Sequence, residues 1–121
     1  MTETFVYDTY ALIELLKDNP NYRKYADEKA IINEFIFAEF CYQLIKDNEK
    51  DRGEYLNEVA PAVVTPSPKL IKEALEFRYK NKKKKMSMTD CISYLQAKNL
   101  GIKFLTGDKE FENLENVEFV K

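Results

Sequence analysis

Four acids stand where a folded chain could gather them. Asp8 directly follows the β-prone run Thr4 to Tyr7, and Asp108 follows a second such run, Ile102 to Thr106, after the turn Thr106-Gly107. Asp90 falls in the first turn of the helix that feeds this second run. Glu39 is the one acid inside the apolar stretch Phe35 to Ile45. Its helical neighbours are Phe35, Ile36 and Phe40, which predicts a carboxylate partly desolvated unless a cation meets it. Each acid also has a simpler reading. Asp8 and Asp108 suit helix caps or turns. Ser87-Met88-Thr89-Asp90 matches a capping box, and Glu39 suits an exposed helix position. If all four share one edge, they repel unless a counter-charge lies among them. A hard divalent cation, Mg²⁺ or Mn²⁺, supplies it through carboxylate oxygens and water. Such a centre suits phosphodiester hydrolysis. The chain has no histidine, which removes Ser-His-Asp and Cys-His nucleophiles, histidine acid-base catalysis and His-ligated zinc.

The elements that would position these acids follow from the pattern of apolar residues. Strands are expected at Thr4–Tyr7, Ala30–Ile32, Ala62–Thr65, Ile102–Thr106 and Val117–Val120. Between them, helical spacing runs from Asp8 to Lys17, from the Asn33 cap to about Lys50, over Leu70–Phe77 and over Ser87–Asn99. Tyr22–Asp27 and Lys109–Leu114 read as short helical turns. Phe37, Phe40, Cys41, Leu44 and Ile45 mark the expected core face of the second helix. The stretch after Lys50 is polar and carries no expected element. Strands alternating with helices predict an α/β fold with a mainly parallel sheet between helical layers. In such sheets sites lie at the carboxyl ends of the strands. That is where Asp8 and Asp108 fall if their strands are central and parallel.

The chain has 121 residues, and residues 1–121 read as a single domain. It carries 45% apolar and 33% charged residues, with eight Tyr and eight Phe, so disorder is not expected. No apolar stretch approaches the roughly 20 residues of a bilayer span, and no secretory leader pattern precedes Lys17. Cys41 and Cys91 lack metal-type spacing and read as small buried hydrophobes of a reducing, cytoplasmic protein. The net charge of −2 hides an asymmetry. Lys69 to Lys85 carries eight basic residues against Glu73 and Glu76, so that segment is +6 and the remainder −8. This is either a solvated helix end or a contact for a phosphate backbone beside an acidic centre.

Phe5-Val6-Tyr7-Asp8-Thr9-Tyr10-Ala11-Leu12-Ile13-Glu14-Leu15-Leu16 resembles the opening of PIN-domain ribonucleases, especially VapC-type toxins. Phe37-Ala38-Glu39-Phe40 is similar to that family's helix bearing the second acid. Met86-Ser87-Met88-Thr89-Asp90-Cys91-Ile92 resembles its third-acid segment, and Phe104-Leu105-Thr106-Gly107-Asp108-Lys109-Glu110-Phe111 its closing Thr-x-Asp-x-x-Phe element. The resemblance runs from about Phe5 to Val120, with the four acids in family order. It implies a three-layer α/β/α sandwich and Mg²⁺- or Mn²⁺-dependent cleavage of single-stranded or loop RNA. Asp8, Glu39, Asp90 and Asp108 carry over as the metal-binding acids, Asp8 and Asp90 as direct ligands. Thr106 and Thr9 carry over as supporting hydroxyls. Homodimers and a cognate antitoxin are the partners it implies; the absence of a long apolar stretch, not the resemblance, argues for no membrane partner. Two positions depart from the family. Tyr10 stands where many relatives have Asn or Ser, and Tyr42 and Gln43 stand where a small residue is common. Glu34 rivals Glu39 as second acid, but its place in the first turn after Asn33 already suits the helix dipole.

Three functions compete on these features. The first is an endoribonuclease of toxin type, with Lys80–Lys85 on the RNA backbone and Tyr10 or Tyr79 able to stack on a base. The second is a catalytically silent PIN-like protein-interaction module, against which the complete acid set argues. The third is another doubly wound domain. It is disfavoured because the chain has three glycines and no glycine-rich loop.

Overall fold

The computed structural model describes residues 2–121. Strand β1 (Thr4–Tyr7) buries Phe5, Val6 and Tyr7 in succession. Strand β3 (Lys103–Thr106) does the same with Phe104, Leu105 and Thr106. Continuous apolar runs of this kind mark strands covered on both faces, and these two are the centre of the sheet. β2 (Lys29–Ile31) and β4 (Val117–Phe119) are its half-buried edges. The strand order is β2-β1-β3-β4 with every pair parallel: Val6 pairs with Ile31 on one side and Phe104 on the other, and Phe104 pairs with Val117.

Among the described residues five α-helices and three short 3₁₀ segments flank this sheet, in the α/β arrangement expected. Four of these helices start at a residue whose side chain accepts from a free N–H group of the first turn. Asp8 caps α1 (Thr9–Leu16), Asn33 caps α2 (Glu34–Lys46), Ser67 caps α4 (Pro68–Lys80), and Ser87 caps α5 (Met88–Leu100). Pro68 occupies the first turn of α4, where its missing N–H costs nothing. Gly101 ends α5 at φ 71°, a left-handed conformation natural to glycine. The Pro20–Asp27 3₁₀ segment buries Tyr22 and Tyr25 against the sheet edge. On the other side Tyr94, Phe104 and Phe111 form an aromatic cluster with ring centroids 5.4–6.3 Å apart.

The structure corrects the sequence expectations at three places. Ala62–Thr65 is not a strand of the sheet. A 3₁₀ turn occupies Ala60–Ala62, and Val63 makes only an isolated parallel bridge to Ile32. Pro61 and Pro66 offer no backbone donor, so the ladder stops after Val64 N donates to the Ile32 carbonyl at 2.8 Å. The polar stretch after Lys50 contains a helix, α3 (Arg52–Val59), that buries no residue fully and packs along α2. The second helix stops at Lys46, and its buried side chains are Ile36, Phe40 and Leu44; Ile45 is exposed. The apolar stripe on α2 is wider than its buried face, so spacing alone does not pick the right edge.

A knot of buried polar side chains locks α2 to α5. Asn33 Nδ2 donates to Ser93 Oγ at 3.0 Å and to Gln96 Oε1 at 2.9 Å, while its Oδ1 accepts from Ile36 N. Ser93 donates to the Thr89 carbonyl and Gln96 Nε2 to the Val64 carbonyl. Among the described residues no buried side-chain nitrogen or oxygen lacks a partner.

Candidate metal centre at the carboxyl edge of the sheet

From β1 the chain turns to β2 on one side, and from β3 to β4 on the other. The carboxyl ends of β1 and β3 therefore flank the switch point of the sheet, where open α/β folds leave a crevice. The expectation of central, parallel strands under Asp8 and Asp108 is met. A cleft of about 520 Å³ opens there, and Asp8, Glu39, Asp90 and Asp108 all line it. Four different segments deliver them: the end of β1, the middle of α2, the first turn of α5 and the turn after β3.

Asp8 is the most enclosed of the four, at 2% exposure. One carboxylate oxygen accepts from Ala11 N at 2.7 Å, the capping bond of α1, and the other accepts from the hydroxyl of Thr106. Thr106 Oγ1 in turn accepts from Asp108 N at 3.0 Å. A buried hydroxyl at the end of β3 thus ties the first acid to the fourth. Asp108 also caps the Lys109–Phe111 turn through Glu110 N. Ser87 caps α5 by accepting from Asp90 N at 3.0 Å. The capping roles read from the sequence are therefore real, and they orient the acids.

Capping does not explain the charge. Ser or Asn would cap α1 as well as Asp does, without a carboxylate to bury. The Asp8 carboxyl is pushed up to about 8, chiefly by burial, with neighbouring Asp90 and Asp108 adding to the rise and the hydrogen bonds from Thr106 and Ala11 opposing it. Asp90 is pushed up to about 7, first by burial and then by Asp108 and Glu39. Two acids that hold protons near neutral pH face two more acids, and none of the four forms a salt bridge among the described residues.

Glu39 takes the simpler of its two readings and not the desolvated one. It is exposed on α2, and the hydroxyl of Thr9 donates to its Oε1 at 2.8 Å. The buried face of α2 runs through Ile36, Phe40 and Leu44, so Glu39 projects into the cleft from the helix flank. Both threonines singled out from the sequence are thus beside an acid: Thr9 on Glu39, Thr106 on Asp8. Glu34 does not line the cleft.

The oxygen donors that line the cleft, four carboxylates and the Thr9 hydroxyl, fit a hard cation. Among the described residues no three acids stand close enough together to hold one cation between them. An open arrangement suits Mg²⁺, which keeps several waters and takes one or two carboxylates directly.

Three residues of the cleft have roles that the sequence does not announce. Lys109 and Lys121 bring ammonium groups to its rim. The first adjoins Asp108, a signal that sequence reading could use; the second arrives only because Val120 N donates to the Thr106 carbonyl beside β3. Gly107 reads as a turn residue, but its role is close approach. A Cβ there would collide with Cε1 of Tyr10, whose ring forms the wall of the cleft. Lys121 Nζ lies 5.5 Å from the centroid of the same ring. Tyr10 thus fills the space between Gly107 and Lys121.

The family model for the PIN domain matches residues 5–117. Among solved structures, a toxin-antitoxin complex from Klebsiella pneumoniae superposes with a TM-score of 0.75 at 16% identity, covering 94% of this chain and 95% of that one. VapC20 of Mycobacterium tuberculosis, a Sarcin-Ricin loop cleaving toxin, gives 0.75 at 16% identity over 98% of this chain and 100% of its own. VapBC2 from Rickettsia felis, bound to a DNA fragment from its promoter, gives 0.72 at 16% identity over 98% and 99%. At that identity the structures speak for the fold alone. No curated protein matches the chain in sequence.

Proposed function

The chain belongs to the PIN domain family, and from that premise we propose that its acidic cleft is the catalytic centre of a divalent-metal-dependent endoribonuclease, the toxin of a toxin-antitoxin pair. The observation that carries this reading is the convergence of Asp8, Glu39, Asp90 and Asp108 on one cleft without an ion-paired counter-charge. A fold gains nothing from such a cluster by itself. With a divalent cation among them, the same acids become a phosphodiester-cleaving centre.

Asp8 and Asp90 would hold Mg²⁺ or Mn²⁺, with Glu39 and Asp108 completing the shell directly or through water. The bound cation supplies a Lewis acid for the phosphate and lowers the pKa of a water. The remaining work falls to the chain. Thr106 fixes the rotation of the Asp8 carboxylate, and Thr9 holds Glu39 toward the cleft. Lys109 and Lys121 at the rim meet the negative phosphates that flank the scissile bond. In hydrolysis a water oxygen joins phosphorus as the bond to the leaving sugar oxygen breaks; the products are a phosphate monoester and a free hydroxyl. The relatives in toxin-antitoxin complexes support a protein antitoxin as partner. The exposed Tyr42 and Ile45 on α2 offer apolar area for a homodimer. No helix among the described residues is long and apolar enough to cross a membrane.

The test is cleavage of a panel of single-stranded and structured RNAs with Mg²⁺, Mn²⁺ or EDTA, for the wild type and Asp8→Asn. Cleavage that requires metal and disappears in the variant is expected. Absence of both cleavage and calorimetric metal binding would overturn the reading in favour of a silent interaction module.

A further inference from the structure

Just ahead of Asp90 along the chain the charge reverses. Helix α4 ends at Lys80, α5 begins at Met88 and packs against it, and the loop between them ends three residues before Asp90. That loop carries Lys82, Lys83, Lys84 and Lys85, all exposed. It is not a loose tail. Arg78 Nε donates to the Met86 carbonyl at 2.9 Å, and Asn81 Nδ2 donates to the Phe77 carbonyl at 2.9 Å, so the loop is tied to the last turn of α4. Met86 is buried beneath it. Between loop and helix lies a second pocket of about 300 Å³, lined by Leu75, Arg78, Tyr79, Lys82, Lys84 and Met86.

This pocket holds three cations, one large aromatic and no acid. None of Arg78, Lys82 and Lys84 forms a salt bridge among the described residues. Tyr79 is 69% exposed, and Lys82 Nζ lies 4.5 Å from its ring centroid. The helix dipole accounts for Arg78 and Lys80 in the last turn of α4. It does not account for lysines beyond the helix, nor for a tyrosine left in water beside a pocket. Converging cations repel unless a polyanion joins them, and an exposed ring provides a face on which any base stacks. An acidic peptide would satisfy the charges but would make no use of the ring.

We propose that this pocket is a nucleotide subsite. It takes one unpaired nucleotide of a single-stranded RNA whose cleaved bond lies in the acidic cleft. The base stacks on Tyr79, Lys82 and Lys84 meet the flanking phosphate, and Arg78 holds the shape of the pocket. The proposal rests on the endoribonuclease reading, because that reading supplies the RNA that passes the cleft.

The test separates the two. The probe is a 5′-fluorescein-labelled 12-nucleotide RNA of mixed, unstructured sequence, titrated with the full chain in EDTA so that nothing is cut. Fluorescence anisotropy should give a Kd that rises about tenfold in Tyr79→Ala and is restored in Tyr79→Phe. Lys82→Ala/Lys84→Ala should weaken binding and flatten the slope of log Kd against log salt by about 0.7 for each phosphate that is no longer neutralised. In Mg²⁺ the same variants should raise KM with kcat unchanged, because none of these residues lines the cleft. All three positions are exposed, and thermal melts confirm that the variants fold. Binding unchanged in Tyr79→Ala overturns the subsite, even if the lysine variant weakens, since that pattern is surface charge alone. Equal competition by a 12-residue polyglutamate overturns it in favour of an acidic protein partner. If RNA binds in EDTA with the expected dependence on Tyr79 but no metal cuts it, the subsite stands and the nuclease reading falls.

Discussion

Two polar clusters share helix α5. Ser93 and Gln96, near its middle, join Asn33 and the Val64 carbonyl in a network in which the donors and acceptors are matched and neutral. Asp90, one turn earlier, joins Asp8, Glu39 and Asp108 in a cluster in which like charges face each other. Both sit at junctions between elements, and both bring together residues far apart in sequence. The first ties α2 and the segment after it to α5 at little electrostatic cost, because every buried group has a partner. The second costs stability as long as it holds no cation, because burial and mutual repulsion both oppose ionisation. The contrast separates polar groups that serve the fold from a cluster of acids whose placement the fold does not require.

The sharpest way to break the comparison is at Asp8. Asp8→Asn keeps the cap of α1, since Asn caps as well as Asp, and removes a buried charge from the acid cluster. RNA cleavage should fall by more than the roughly 10–100-fold that loss of a group behind a metal ligand costs. The midpoint of thermal unfolding in EDTA at pH 8 should rise. A loss of both activity and stability would place Asp8 with the structural network instead.

The opposite signature is expected at Asn33. Asn33→Ala deletes the α2 cap and leaves Ser93 and Gln96 short of a partner. The combined cost is about 2–4 kcal/mol in denaturant unfolding, with activity per folded molecule unchanged. Thr106→Val probes the link between β3 and the cluster. It removes the hydroxyl that donates to Asp8 while keeping volume, and metal affinity measured by calorimetry should drop about tenfold or more.

The smallest effect distinguishes the clusters by pH. Asp8 and Asp90 have folded values above the ordinary carboxylate value, so between about pH 4 and pH 8 the fold retains protons that the unfolded chain has released. Stability of the metal-free chain therefore falls as pH rises through that window. Mg²⁺ or Mn²⁺ competes with those protons, so its stabilising shift of the melting midpoint should be larger at pH 8 than at pH 6, with proton release on binding. The neutral Asn33 network contributes nothing to this dependence, and Asp8→Asn should flatten it.

Much of the cleft is legible in the sequence. Asp8, Asp90 and Asp108 each lie at a strand end or helix start, and those boundaries are written in local signals: apolar runs, caps, a glycine stop. Strand-helix alternation places the ends of β1 and β3 on one edge. Less legible is everything decided by packing between distant segments. The exposure of Glu39 depends on which side of α2 meets α5, and an apolar stripe from Phe35 to Ile45 permits more than one answer. The bridge at Val63 falls short of a strand because prolines remove donors and Gln96, from another helix, takes the next carbonyl. Helix α3 buries nothing fully, so no periodicity announces it.

The sequence by itself determined the inventory of chemistry: carboxylates and hydroxyls without histidine, acids at element boundaries, and a basic stretch ahead of Asp90. Local propensity and capping act over three or four residues, so they are readable in one dimension. Only the tertiary structure decided that four acids line one cleft with Thr106 binding the first to the last, that Tyr10 lies against Gly107, and that Lys121 reaches the rim. Those facts depend on side chains separated by up to nearly the whole chain, and packing alone sets their distances.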